Sequence, residues 1–198
     1  MLRKLNQKDF KTMPWRNGKG FTSELYRIEH DSEMLFRVSS AKVEQSGPFS
    51  DFSGYDRTLV NLGPGLMEIN ITGQETHSLR ALQSCHFDGG LSTDCAVTSP
   101  CKDLNIFCRQ GQFFASTIVR SLKKPEFIPL LPDSGWLIFV ASGELCAHGP
   151  GGRELLVQAG DVLLQDLGTV ADQARLMLAS SSETVCDIVA IAFRPKLD

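Results

Sequence analysis

The sequence predicts an all-β protein. Short segments rich in apolar and β-branched residues follow one another along the 198 residues. Turn signals built from glycine and proline separate them, most clearly at GPG (63–65), DGG (88–90) and GPGG (149–152). No window of helical length keeps an apolar stripe with a 3.6-residue period, so a helical fold is not indicated.

The strands follow from these signals in chain order. The predicted segments are 22–28, 34–43, 57–62, 66–71, 77–82, 103–109, 113–119, 136–142, 144–148, 153–158, 161–166 and 185–193. The stretch 171–179 fits either a short helix or a further strand. The segment LKKPEFIPLLPDSG (122–135) carries three prolines and is the best linker candidate. We therefore predict two domains, residues 1–124 and 125–198.

The second domain has a regular rhythm. FVASGELCAHG (139–149) and ELLVQAGDVLLQD (154–166) alternate strands with glycine turns and a hairpin. This rhythm is typical of small jelly-roll β-barrels of the cupin type.

The composition argues against two classes of partner, nucleic acid and membranes. Lys and Arg number 20 and Asp and Glu number 23, which gives a formal net charge of −3. Without a basic block, the chain has no electrostatic footprint for nucleic acid or an anionic membrane. No apolar run has the length of a membrane-spanning helix or the position of a signal-peptide core. We therefore predict a cytoplasmic protein that binds neither nucleic acid nor membrane.

Six cysteines fit a cytoplasmic location as free thiols. They are Cys85, Cys95, Cys101, Cys108, Cys146 and Cys186, and no two form a C-x-x-C pair. Neither a zinc knuckle nor a redox motif is therefore indicated, and small buried apolar residues are the simpler interpretation. Disulfides are the alternative in an oxidising compartment.

Polar residues fall on single faces of two predicted strands, because side chains alternate along a strand. In 34–43 one face carries Arg37, Ser39, Ala41 and Val43. In 103–109 one face carries Asp103, Asn105, Phe107 and Arg109. The alternation of side chains alone favours a face that is exposed to solvent. The alternative is an enclosed face, since arginine suits carboxylates, asparagine both donates and accepts, and Phe107 gains nothing in water.

Enclosure would require partners for the two arginines. An uncompensated buried charge costs roughly 3–5 kcal/mol. We expect Asp103 to neutralise one of Arg37 and Arg109, and a ligand carboxylate to neutralise the other.

Two further stretches are dense in polar and aromatic residues. MPWRNGKGFTSEL (13–25) contains Trp15 and the glycine-flanked Lys19, and SGPFSDFSGYDRTL (46–59) contains three aromatic residues. A loop with this many aromatic residues is expected to be packed. Asp56 and Arg57 either bind a ligand or hold the loop by hydrogen bonds, and the residues alone leave both open.

These stretches resemble the HutD/Ves family of bicupins. The resemblance is carried by PWRNGKGFTSEL, FRVSSAKVEQSGPFSDFSGYDRTLVNL and KDLNIFCRQG, in this order within residues 14–111. It implies two cupin-type jelly-roll β-barrels fused in one compact chain, with a ligand pocket in the N-terminal barrel. It also implies an association with histidine-utilisation genes, and a small-molecule-binding or regulatory protein without an established enzymatic activity.

The resemblance and the strand faces together give the candidate ligand-binding residues. These are Trp15, Asn17, Thr22, Glu24, Arg37, Ser39, Phe49, Asp56, Arg57, Asp103, Asn105 and Arg109. The chain departs from the family pattern where Lys19 interrupts the glycines, where Phe87-Asp88-Gly89-Gly90 replaces F-x-G-D, and at Cys108.

Histidines are scarce for a metal-binding cupin. The chain has His30, His77, His86 and His148, with no H-x-H pair that would place two imidazoles on one strand face. We predict a metal-free site with no cofactor.

Three functions compete. The first is a protein that binds a small organic acid, for which an intermediate of histidine degradation is the natural candidate, in a regulatory or metabolite-buffering role. The second is a metal-independent isomerase or hydrolase using Glu24 and Asp103 as general acid and base; we rank it lower because no nucleophile–base pair stands at recognisable spacing. The third is a protein-interaction module with exposed aromatic residues at Trp15 and 49–55. The sequence leaves the oligomeric state open, a homodimer included.

Overall fold

The computed structural model describes residues 1–15, 20–168, 174–182 and 184–196. In these ranges the chain forms β-strands and one short 3-10 turn at Pro150–Gly152. The predicted all-β class is therefore confirmed. Within the same ranges, no helix has the length and apolarity needed to cross a membrane.

The strands are numbered in chain order. They are β1 (Leu2–Leu5), β2 (Lys11–Pro14), β3 (Phe21–His30), β4 (Glu33–Val43), β5 (Gly47–Pro48), β6 (Tyr55–Pro64), β7 (Met67–Ile71), β8 (His77–Leu79), β9 (Ser84–Asp88), β10 (Thr93–Val97), β11 (Cys101–Arg109), β12 (Phe113–Leu122), β13 (Glu126–Pro129), β14 (Gly135–Ser142), β15 (Glu144–His148), β16 (Glu154–Gln158), β17 (Val162–Gln165), β18 (Arg175–Ser180) and β19 (Cys186–Pro195).

The chain divides into two compact units. The N-unit comprises residues 10–113, and the C-unit comprises residues 1–9 and 114–198. Residues 1–9 and 114–124, which the sequence prediction placed in the first domain, thus lie in the C-unit. The reason is strand pairing, because β1 pairs with β17 and β12 lies in the same sheet.

The proline-rich segment predicted as a linker contains a strand. Its central part forms β13, which pairs antiparallel with β18. Strand β18 shows that residues 175–179 of the stretch 171–179 form a strand, whereas residues 171–173 lie outside the described residues. Prolines at the end of a short strand are compatible with β13 because it lies at the edge of its sheet.

Each unit contains two sheets with an apolar cluster between them. In the N-unit the sheet orders are β2-β3-β4-β11-β6-β9 and β5-β10-β7-β8, and in the C-unit they are β1-β17-β14-β19-β12 and β13-β18-β15-β16. Buried apolar side chains from both sheets of a unit meet in a single cluster. The sheets are open at their edges in the described part of the chain, so the prediction of closed barrels is wrong.

Burial patterns explain how the N-unit sheets face each other. In β7 the apolar Met67, Ile69 and Ile71 are buried while the alternate Glu68 and Asn70 are exposed. The central strands β4 and β11 are instead buried on both faces over most of their length. Any polar residue in the middle of β4 or β11 is therefore enclosed, whichever face it occupies.

Candidate functional site

Cross-strand register gathers the predicted polar residues on one face of the six-stranded sheet. One row runs through Arg37, Phe107, Arg57 and Phe87, on β4, β11, β6 and β9. Directly opposed side chains share a face and lie within contact distance. Phe87 also belongs to the apolar core between the two sheets. This row therefore lies on the inner face of the N-unit.

A second row lies beside the first. It runs through Glu24, Ser39, Asn105 and Leu59, and Leu59 is likewise part of the core. Asp103 follows two residues from Asn105 on the same face of β11. We call the six polar members of this face the polar cluster: Glu24, Arg37, Ser39, Arg57, Asp103 and Asn105.

The polar cluster is enclosed rather than solvated. Asp103 is 2% exposed, Phe107 is 2% exposed and Asn105 is 6% exposed. The solvated face that parity alone favoured for 103–109 is therefore wrong for these three residues. Parity could not distinguish the two cases, because it does not show that a second sheet covers the face.

Arg37 has its counter-charge within the chain. Its Nε atom lies 2.7 Å from Oε2 of Glu24, and both side chains are about one-tenth exposed. Burial lowers the pKa of Arg37, while the charge of Glu24 raises it. The expectation that Asp103 or a ligand would neutralise Arg37 is replaced by this pair.

Arg57 is enclosed without such a pair. It is 5% exposed, and its Nε and Nη2 atoms donate to Oδ1 of Asn105 at 3.0 and 2.6 Å. No ion pair joins it to a carboxylate of the described residues. Burial lowers its pKa to about 10, and the charge of Asp103 opposes that shift. Among the described residues, the neutral amide of Asn105 is therefore the group that accepts hydrogen bonds from this buried positive charge.

Aromatic rings enclose the Arg57 guanidinium. Its Cζ atom lies 4.1 Å from the ring centroid of Phe49, 5.3 Å from that of Phe107 and 5.4 Å from that of Phe87. These are cation–π distances. Phe52 stacks on Phe107 with a centroid separation of 4.2 Å. The loop before β6 thus covers the first row, and the half-buried state of its aromatic residues weighs against an exposed interaction patch.

Asp103 is held by the backbone of a neighbouring strand. Its Oδ1 atom accepts a hydrogen bond from the Ala41 amide at 3.0 Å. Burial raises the pKa of Asp103, and a hydrogen bond from Asn105 and the charge of Arg57 oppose the rise. The cluster therefore places a cation and an acid on either side of Asn105, each destabilised in its charged form by burial.

Arg109 lies apart from the polar cluster. Its Nε atom is 2.6 Å from Glu33 Oε1, and its Nη1 atom donates to the Gly54 carbonyl at 3.1 Å. Gly54 has a φ of +84°, and a Cβ atom there would collide with the Arg109 guanidinium. Arg109 thus anchors the loop before β6, and Glu33 supplies the counter-charge that was expected from Asp103 or a ligand.

The structure does not place Trp15, Thr22 or Asp56 in the polar cluster. The indole Nε1 of Trp15 donates to Thr22 Oγ1 at 2.8 Å, so these two contact each other. Asp56 lies on the opposite face of β6 from Arg57 and accepts a hydrogen bond from Gln110. Asn17 falls outside the described residues.

One wall residue was missed. The predicted strands do not include 84–88, and Phe87 is absent from the candidate ligand-binding residues. The signal was present, since in SCHFD the alternate Cys85 and Phe87 are buried while the residues between them are exposed. A period-2 pattern over five residues predicts a half-buried strand.

The thiols near the polar cluster are weak nucleophiles. All six cysteines are free. Burial raises the pKa of Cys85 to about 11 and that of Cys95 to about 12. At neutral pH both are protonated, and a thiol is a much weaker nucleophile than a thiolate.

The chain is similar in sequence to a known protein family and to individual bacterial proteins. The family model described as HutD matches residues 7–185. An uncharacterised 21.2 kDa protein from the hutC 3′ region of Pseudomonas putida is 35% identical over 98 residues, which is 48% of this chain and 52% of that protein. The alignment thus spans about half the length of that relative. Protein Ves from Citrobacter koseri is 28% identical over 68% of this chain and 72% of its own.

Solved structures share the fold. A conserved protein of unknown function from Pseudomonas aeruginosa PAO1 has a TM-score of 0.87 at 25% identity, covering 98% of this chain and 99% of that one. HutD from Pseudomonas fluorescens SBW25, in a formate condition, has a TM-score of 0.81 at 23% identity, with both chains fully covered. A Bacillus subtilis oxalate decarboxylase variant has a TM-score of 0.68 at 8% identity, over 95% of this chain and 76% of that one. These neighbours are of the cupin type.

Proposed function

The chain belongs to the HutD family, and on that premise we propose that its N-unit binds a small carboxylate at Arg57. One observation carries the proposal. Arg57 is buried, and its direct polar partner in the described residues is the neutral Asn105 side chain. The charge of Asp103 compensates this buried cation only from a distance, without an ion pair, and an incoming carboxylate would supply a direct counter-charge.

The surroundings of Arg57 suit a small planar acid. Guanidinium offers paired N–H donors that match a carboxylate, and its Nη1 donors are engaged in no hydrogen bond of the described residues. Phe49, Phe87 and Phe107 provide apolar walls. Asn105 fixes the guanidinium from one side, so the ligand would meet an oriented donor rather than a flexible one.

The family relation suggests the class of ligand. The P. putida relative is a protein of the hutC 3′ region, which suggests a relation to histidine utilisation. Intermediates of histidine breakdown carry carboxylates, and we propose one of them as the ligand, with a regulatory or metabolite-buffering role for the protein. Formate is a useful minimal probe, because the structure of HutD from P. fluorescens was solved in a formate condition.

We also propose a bicupin architecture in which each unit is one cupin-type sandwich. Two antiparallel sheets around a single core in each unit support it, as does the likeness to oxalate decarboxylase.

A thermal-shift screen of the full chain tests the binding proposal. The panel contains formate, urocanate, formiminoglutamate, formylglutamate and glutamate. A ligand at a hundred times its Kd adds about 2.7 kcal/mol, which raises the Tm of a chain of this size by roughly 5–11 °C. We expect at least one carboxylate to do so.

Two variants locate the response. Arg57→Met keeps the side-chain volume but removes the charge, and we expect it to abolish the shift. Arg120→Met is the matched control, because Arg120 is about half exposed and lies in the C-unit. A shift that survives Arg57→Met, or a panel without any shift, contradicts the proposal.

A further inference from the structure

A second group of chemistry-bearing side chains lies in the C-unit, on the hairpin of β15 and β16. Cys146 and His148 are two residues apart on β15, so they share one face of the strand. Glu154 on β16 is the direct cross-strand partner of His148. Leu145 and Ala147, which alternate with them, are fully buried. The three side chains therefore occupy the outer face of their sheet, away from the C-unit core.

The three side chains are close to one another. Cys146 Sγ lies 3.2 Å from His148 Nε2, and His148 Nδ1 lies 3.5 Å from Glu154 Oε2. One ligand atom from each residue can be chosen so that all three lie within 4.8 Å of one another. Within the described ranges, this is where histidine, cysteine and acidic side chains meet in such a group.

We propose that Cys146, His148 and Glu154 form a binding site for a divalent transition-metal cation, with Zn²⁺ as the first candidate. Thiolate sulfur, imidazole nitrogen and carboxylate oxygen are the donor types that zinc accepts. In a tetrahedral site with bonds of about 2.3 Å to sulfur and about 2.0 Å to nitrogen, the two donor atoms are about 3.5 Å apart. The observed separation of 3.2 Å is close to this value.

The carboxylate has the freedom to complete the site. The side chain of Glu154 is 55% exposed, so it can turn from the Nδ1 edge of the imidazole toward a shared cation without disturbing the core. The strands themselves hold Cys146 and His148 on a common face. Three protein ligands leave a fourth position of a tetrahedral cation open to solvent, as in zinc sites that exchange a ligand.

This site is independent of the carboxylate proposal. It uses residues of the C-unit, whereas the polar cluster lies in the N-unit. The sequence contained its signal as C-x-H within a single strand, followed by an acid across a tight hairpin. It differs from the H-x-H pattern of metal-binding cupins, because only one of the ligands is a histidine.

Metal titration of the reduced, tag-free full chain tests the proposal. We expect one equivalent of Zn²⁺ to bind in competition with a chromogenic chelator, and Co²⁺ to give a thiolate charge-transfer band in the near ultraviolet. Cys146→Ser should abolish that band and weaken Zn²⁺ binding at least tenfold. His148→Gln and Glu154→Gln should each weaken it as well.

A control separates this site from surface binding in general. His30→Gln removes an exposed histidine that lies 3.4 Å from Asp31, and binding should be unchanged. The altered ligands lie on an outer face, so an unchanged Tm in the absence of metal verifies folding. The proposal is overturned if no equivalent of Zn²⁺ binds, or if Cys146→Ser and His148→Gln bind it like the wild type. Rapid alkylation of Cys146 without metal binding would identify a reactive thiol in place of a metal site.

Discussion

The interiors of the two units differ in charge. The N-unit buries Glu24, Arg37, Arg57 and Asp103 on one inner face, next to its apolar core. In the C-unit the buried ionisable side chain of the described residues is Asp161, which pairs with Lys4 at 3.0 Å. The C-unit core is otherwise built from side chains such as Ile138, Leu145 and Val157. Both units are two-sheet structures, so the fold alone does not require buried charge. The difference supports the proposal that the N-unit binds a ligand.

The largest expected effect comes from breaking the buried pair of the N-unit. Arg27 also lies 3.6 Å from Oε2 of Glu24. The double variant Arg27→Ala/Arg37→Ala therefore leaves the Glu24 carboxylate enclosed without a counter-charge, and we expect a loss of roughly 3–5 kcal/mol in the free energy of unfolding. Lys4→Ala in the C-unit is the comparison, since Lys4 is about one-third exposed, and it should cost about 1 kcal/mol. Urea denaturation of both variants measures the difference. Equal losses would show that the two interiors treat charge alike.

Truncating a core residue of the C-unit should destabilise the protein without changing the polar cluster of the N-unit. Leu145 is fully buried in the C-unit core, and Leu145→Ala should cost about 2–5 kcal/mol. The carboxylate-induced rise in Tm should nevertheless persist, because the N-unit side chains are unchanged. Thermal unfolding with and without the ligand measures both quantities. A ligand response lost together with the stability would contradict the separation of roles.

The all-β class and most strand positions were predictable because strands leave a local pattern of alternation and turn residues. The predicted strands do not include β9 and β10, although the alternation in SCHFD over 84–88 indicates a half-buried strand. The enclosure of Asp103 and Asn105 was not predictable from parity, since it depends on a second sheet distant in sequence. The pairing of Arg37 with Glu24 and of Arg109 with Glu33 likewise depends on the strand register between β3, β4 and β11. The residue types were thus enough to predict the candidate site. The residues that pair with its arginines could be identified only from the structure.

A smaller effect is expected in the pH dependence of the free energy of unfolding. Burial raises the pKa of Asp103, so the folded protein holds that proton more tightly than the unfolded chain does. The stability that this group contributes is complete below its ordinary pKa and is lost as the pH rises through the folded pKa. Asp103→Asn should remove this loss while retaining an oxygen that accepts from Ala41.

Free energies of unfolding measured from pH 3 to pH 8 check the sign. The wild type should lose stability relative to Asp103→Asn as the pH rises. A relative gain would mean that the folded state favours the Asp103 carboxylate, and that the charge of Arg57 outweighs desolvation.

The smallest effect on stability is expected at Cys146. This thiol is partly exposed, whereas the other five are buried. At pH 8 and without metal, it should be the first to react with a disulfide reagent because the reagent can reach it. Burial raises its pKa as well, but Cys85 and Cys95 are buried and remain protonated with pKa values of about 11 and about 12. Cys146→Ser should abolish this fast phase and change the free energy of unfolding by less than about 0.5 kcal/mol. A fast phase that remains in Cys146→Ser would assign the reactive thiol to the buried set.

The central claim is that the buried Arg57 binds a carboxylate. Isothermal titration of the best carboxylate of the panel into wild type, Arg57→Met and Arg120→Met tests it directly. Losing one partner of a buried charge pair costs about 2 kcal/mol or more, which is roughly a 30-fold increase in Kd. We predict at least that increase for Arg57→Met and an unchanged Kd for Arg120→Met. Equal affinity of all three proteins would contradict the account.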